Sequence, residues 1–186
     1  MKIKTLISIL ALSTTSISLG ETHLTPNKIY TPIEVVVSIP KPTIAIDPIR
    51  YIDKVISQEL KPTKLITKSF VKKIILMESN YDSTLIGSSG ERGLMQLMED
   101  TYNSMSTSGF DSAFYVRPNL RAGIRLLKQL EHTLAHDHPE WNTLSKIDKL
   151  KAIGAAYNGG LGLLSRNNYD VDLMKPHTIR YINKIN

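Results

Sequence analysis

One glutamate stands where a carboxylate is costly. From Lys64 to Ser79 the apolar residues recur at helical spacing. At 100° per residue, with Ile66 as origin, Phe70, Ile74, Val71 and Ile75 spread from about 40° to about 180°, and Lys68, Lys72 and Lys73 fall outside that arc. Glu78 falls at about 120°, inside the apolar stripe and one residue from the expected helix end. Burial disfavours the ionised form, so a carboxyl placed there keeps its proton nearer neutrality and can act as a general acid. A lone glutamate of this kind is equally a paired or end-exposed side chain, but the next segment of the chain favours chemistry. Gly87, Gly90 and Gly93 put three glycines in seven residues, a loop whose backbone a ligand can approach closely. Gln96 then stands as one amide among Leu94, Met95, Leu97 and Met98. Apolar walls with few convergent polar groups suit recognition of a carbohydrate.

Other clusters carry less chemistry. His132, His136, Asp137 and His138 place two histidines one helical turn apart, but without the acid or fourth ligand that metal chemistry needs, and read as a solvated helix end. Asp82, Glu91, Glu99 and Asp100 are candidate second carboxylates and read as loop-capping groups. The absence of cysteine from the chain excludes disulfides, thiolate metal sites, a cysteine nucleophile and a lipid anchor on an N-terminal cysteine. Neither a cofactor nor a metal is expected. No phosphate-binding glycine loop and no Ser/His/Asp arrangement is present.

The elements that must position these groups read as helices. Asp47 caps a first helix with Pro48 at its opening position, and Ile49, Ile52, Val55, Ile56 and Leu60 mark its buried side up to Pro62. The glutamate helix from Lys64 to Ser79 comes next, then one from Met98 to Met105, and one from Pro118 to about Ala135. A further helix opens at Ser145, with Asp148 completing a capping box, and stops at Gly159 and Gly160. The last starts at Pro176 and carries Ile179, Ile182 and Ile185 on one side. No long alternating strand pattern competes, so the fold class is mainly α.

Taken in order, these segments resemble the catalytic domain of soluble lytic transglycosylases, relatives of goose-type lysozyme. Glu78–Ser79 matches the helix-end Glu-Ser of that family, and Gly90-x-x-Gly93 with Leu94–Met95–Gln96–Leu97–Met98 matches its glycine-rich GLMQ element. Asn119-x-x-x-Gly123 with Leu126–Leu127 matches the next helix, Ala155–Ala156–Tyr157–Asn158–Gly159–Gly160 resembles AAYNAG, and Tyr181 suits the C-terminal tyrosine of the cleft. Three positions depart: Gly87 stands where the family has a serine, Glu99 where it has a proline, and His177 where an acid often precedes the last tyrosine.

The resemblance implies a lysozyme-like single domain over 47–186 and cleavage of the β-1,4 bond between N-acetylmuramic acid and N-acetylglucosamine in peptidoglycan, leaving 1,6-anhydromuramic ends. Glu78 would be the acid and then the base. Gln96, Tyr157, Asn158 and Tyr181 would orient sugars beside Ser79, and Leu97 and Met98 would line the walls. Two alternatives come from other classes: a hydrolytic lysozyme that uses a second acid to activate water, and a non-catalytic wall-binding component of a secretion or conjugation apparatus.

The remainder bounds partners and place. With 41% hydrophobic and 22% charged residues in 186, the chain can bury a core, and at 6% aromatics that core is mostly aliphatic. The formal charge of +6 suits a polyanionic partner such as cell wall, and no basic block interleaved with aromatics points to nucleic acid. Lys2 and Lys4, the apolar run Leu6–Leu12, and Ser18 and Gly20 at small-residue positions read 1–20 as a cleavable secretory signal. That run is too short for a membrane span, and export to the periplasm, envelope or medium as a monomer is expected. Pro26, Pro32, Pro40 and Pro42 make 21–46 an extended linker.

Overall fold

Asp47 accepts a hydrogen bond from the Ile49 N–H (3.0 Å) and opens α1 (Pro48–Glu59), as its sequence predicts. The computed structural model describes residues 47–185; the expected signal at 1–20 and linker at 21–46 lie outside the described residues. The described chain continues through α2 (Lys68–Ser79), α3 (Glu99–Met105), α4 (Val116–Asp137), α5 (Lys146–Gly159), α6 (Leu161–Arg166) and α7 (Pro176–Ile182). Short 3₁₀ turns at Phe110–Phe114 and Val171–Leu173 complete it, and among the described residues only isolated bridges, Ile86 with Arg92 and Arg92 with Leu97, are strand-like.

Several boundaries differ from expectation, each for a local reason. Helix α2 starts at Lys68, not Lys64, because Thr63 accepts from the N–H groups of Leu65 and Ile66 and folds them into a turn, after which Thr67 caps the helix. Helix α3 begins one residue late, with Met98 as its extended cap and Glu99 and Asp100 in its first turn, where acids meet the positive helix end. Helix α4 starts before Pro118, which the first turn tolerates because its missing N–H has no intrahelical acceptor there. The glycine stop after α5 holds, and at the other end of that helix Ser145 accepts from the Asp148 N–H and donates to the Asp148 carboxylate. The chain then resumes as α6, a short helix without a sequence signal of its own because only Leu164 of it is buried. Ile185 lies beyond α7, packed where Gly154 leaves room on α5.

Helix α4 is the spine. Its Leu120, Leu127 and Leu134 are buried on one stripe, α1 and α3 pack against it, and α5 joins it to α6 and α7. Fully burying each such leucine is worth roughly 1.5–3 kcal/mol. The same spine supports the glycine-rich loop. A side chain at Gly123 would overlap the sulfur of Met95, so the glycine admits Met95 into the helix face and seats the 85–97 loop on α4.

Candidate active site

Glu78 owes its position to an abrupt helix end. Asn80 and Tyr81 both take left-handed backbone (φ 50° and 67°), which stops α2 just after Ser79. The Tyr81 hydroxyl reaches back to the Lys72 carbonyl (3.3 Å) and ties the turn against the helix. Ser79 is buried and donates to the Leu94 carbonyl (2.9 Å), clipping the helix end to the glycine-rich loop.

That loop is held from two more sides. Asn119, fully buried on α4, accepts from the Met95 N–H (2.9 Å) and donates to the carbonyls of Arg92 (2.9 Å) and Ala113 (2.8 Å). Tyr157 of α5 donates to the Met95 carbonyl (2.6 Å). Gln96, itself at φ 44°, spends its NH₂ group on the carbonyls of Leu85 (3.1 Å) and Gly93 (2.8 Å). Gly93 has φ 74°, and a Cβ there would overlap the Ala113 carbonyl and lie 2.6 Å from the Asn119 amide nitrogen. The glycine is therefore required by packing on the side away from the cleft, whereas its sequence context suggests backbone approach to a ligand.

The cleft itself is a cavity of about 280 Å³ lined by Glu78, Gly87, Ser88, Glu91, Gln96, Met98, Tyr157 and Asn158. Glu78 is half-buried, and its carboxylate accepts from the Tyr181 hydroxyl of α7 (2.7 Å). Loss of hydration raises its pKa to about 7, with the negative charge of Glu91 adding to the rise and the Tyr181 hydrogen bond opposing it. Tyr157 and Tyr181 are pushed well above the usual phenol range, first by burial and then by the charge of Glu78. Both remain hydrogen-bond donors, and the proton that can move is on Glu78. A larger groove of about 410 Å³ runs along α2 between Lys68, Ser69, Lys72, Lys73, Leu76 and Tyr81, but among the described residues no carboxylate lines it.

The sequence-expected residues thus separate into two groups. Glu78, Gln96, Met98, Tyr157 and Asn158 line the cleft, and Tyr181 reaches it through Glu78. Ser79 and Leu97 are buried behind the wall, with relative exposures of 5% and 2%, and act as frame. Asn158 accepts from the buried Thr178 (2.9 Å), which fixes its amide, and among the described residues its NH₂ has no acceptor. Of the four other carboxylates only Glu91 enters the cleft. Asp82 closes a turn on Thr84, which holds its carboxyl below the usual range, and Glu99 and Asp100 are exposed on α3. His177 is exposed on α7. His136 pairs with Asp137 at an exposed helix end, while His138 stacks on Tyr169 (4.9 Å between rings). Asn119, which the sequence marks only as part of the Asn119-x-x-x-Gly123 pattern, and Thr178, which it does not mark, support the site through partners that the three-dimensional structure reveals.

The chain has relatives in sequence family and in fold. A family model described as the transglycosylase SLT domain matches residues 56–174. Among solved structures, the chain is similar to an inactive mutant of the lytic transglycosylase Slt from Pseudomonas aeruginosa, with a TM-score of 0.54 and 17% identity. That likeness is one of fold, and it covers 72% of this chain but 22% of the other. Comparison with curated proteins finds no significant match.

Proposed function

The chain belongs to the transglycosylase SLT domain family, and from that premise we propose that it is an exported lytic transglycosylase cutting peptidoglycan glycan strands, with Glu78 as acid and then base. The observation that carries this reading is a half-buried carboxyl, hydrogen-bonded by Tyr181, lining an open polar cleft; burial there raises its pKa to about 7. At neutral pH a large fraction of such a group is protonated, and it can also hold the conjugate base within reach of the same substrate.

Glu78 donates its proton to the oxygen of the β-1,4 bond as that bond breaks. The muramic 2-acetamido carbonyl oxygen bonds to C1, giving an oxazolinium ring and removing the need for a carboxylate nucleophile. Glu78, now ionised, takes the proton of the muramic C6 hydroxyl. That oxygen attacks C1, the oxazolinium bond breaks, and a 1,6-anhydro ring remains with the acetamido group restored. Gln96 and Asn158 present an acceptor and a donor to the sugars, Met98 gives an apolar wall, and Tyr181 steadies the Glu78 carboxylate between its two tasks. Glu91 in the same cleft supports a second reading, hydrolysis, in which a carboxylate activates water. Digestion of purified peptidoglycan and mass analysis of the products separates them: anhydro ends are lighter by one water than reducing ends. Absence of any cleavage would leave a wall-binding role.

A further inference from the structure

We infer that Glu91 is a second substrate-facing carboxylate of the cleft, gripping N–H or O–H donors of the bound glycan from the space that Gly87 leaves open. This role rests on the glycan-cleaving reading above and falls to one of the four carboxylates that the sequence reads as loop-capping groups. Glu91 lines the same cavity as Glu78, Gln96, Tyr157 and Asn158. A Cβ at position 87 would overlap the Glu91 Oε2 and lie 2.7 Å from the Gln96 Oε1, so two acceptor oxygens converge where a side chain at 87 would otherwise stand.

Both acceptors are held. The Gln96 NH₂ is committed to the carbonyls of Leu85 and Gly93, which fixes its oxygen toward the gap. The Glu91 Oε2 accepts from the Ser89 N–H (3.0 Å), and among the described residues its other oxygen has no hydrogen-bond partner. Acceptors gathered in an open cleft are satisfied by donors from a ligand, and a sugar supplies hydroxyls and the N–H of its acetamido group. Charge adds a second effect. The groups that act on Glu78 are Tyr181 from α7 and Glu91 from the loop, and Tyr157 of α5 also feels its charge; among the described residues no lysine, arginine or histidine contributes to its shift. Glu91 is therefore the charge that helps keep the Glu78 proton in place.

Steady-state digestion of purified peptidoglycan by wild type, Glu91→Gln, Glu91→Ala, Gly87→Ala and the Gly87→Ala/Glu91→Ala pair tests this, with melting curves confirming fold. Glu91→Gln should raise KM by roughly tenfold, the worth of one charge-assisted hydrogen bond. It should also move the alkaline limb of kcat/KM to lower pH, because Glu78 then loses its proton more easily. Gly87→Ala leaves the charge of Glu91 intact but displaces its carboxylate, so it should raise KM, and most of that effect should vanish once Glu91 is alanine, leaving only the push on the Gln96 oxygen. A Glu91→Gln enzyme with wild-type KM and pH profile would overturn the inference, as would full additivity of the two alanine changes. Reducing ends made by wild type and lost in Glu91→Gln would overturn it too, making Glu91 a water-activating base. Failure of wild type to cleave at all would instead remove the glycan-cleaving reading, an outcome distinguishable from each of these.

Discussion

Replacing Glu78 by glutamine should change stability in a pH-dependent way. The carboxyl is raised from an ordinary value of 4.5 to about 7. Between those values the native protein holds a proton that the unfolded chain has released, so wild-type stability falls as pH rises across the window. At 1.36 kcal/mol per unit the full shift amounts to about 3 kcal/mol, and partial exposure of the side chain reduces this to about 2–3 kcal/mol. Glutamine does not titrate, and its oxygen can still accept from Tyr181. The variant should therefore match wild type in Tm near pH 4.5, gain steadily through pH 7, and level off about 6–9 °C higher above pH 8, at about 3 °C per kcal/mol for a domain of this size. Melting curves at constant ionic strength from pH 4.5 to 8.5 measure the gap. A gap that does not change with pH would refute the claim that burial holds the proton on Glu78.

Three further outcomes are expected from the same contacts. Tyr181→Phe removes the hydrogen bond that opposes the rise at Glu78, so the alkaline limb of kcat/KM should move to higher pH, with kcat lowered as the carboxylate loses its support; a pH–rate profile reads both. Asn119→Ala strips hydrogen bonds from one buried N–H and two carbonyls, and should cost about 3 kcal/mol or more in denaturant unfolding. Gly93→Ala meets left-handed backbone and the Ala113 carbonyl, so it should lose stability by at least about 2 kcal/mol together with activity, whereas a residue needed only for ligand approach would lose activity at unchanged Tm.

How much of this is legible in the sequence depends on the kind of signal. Helix positions come from apolar period and caps, and Asp47 and Ser145 cap as read, because capping is settled within four residues. Glu78 is legible for a similar reason: the wheel places it in an apolar stripe without reference to any partner. Its partner Tyr181 lies 103 residues away, beyond any local pattern, and enters only through the family resemblance. Asn119 enters the sequence reading only through the Asn119-x-x-x-Gly123 resemblance, and its clamp on the loop is hidden because Met95 and Arg92 lie 24 and 27 residues away. Ser79 and Leu97 neighbour site residues in the chain, which suggests contact with substrate, but the left-handed turn after α2 and the folding of the loop turn both inward. Glu91 reads as a solvated loop acid because nothing local says that a glycine four residues earlier leaves room for its carboxylate.

Every step proposed for this cleft depends on one proton, held by Glu78. Turnover of purified peptidoglycan by Glu78→Gln and by wild type, measured side by side at pH 6 to 7 with both proteins shown to be folded, puts that dependence to the test. General acid–base catalysis is typically worth ~10²–10⁴-fold, and a residue that serves in both half-reactions should fall at or beyond the upper end of that range. A loss of that size, with the fold intact, is the expected result. Undiminished lysis by the glutamine variant would contradict it and remove Glu78 from the chemistry.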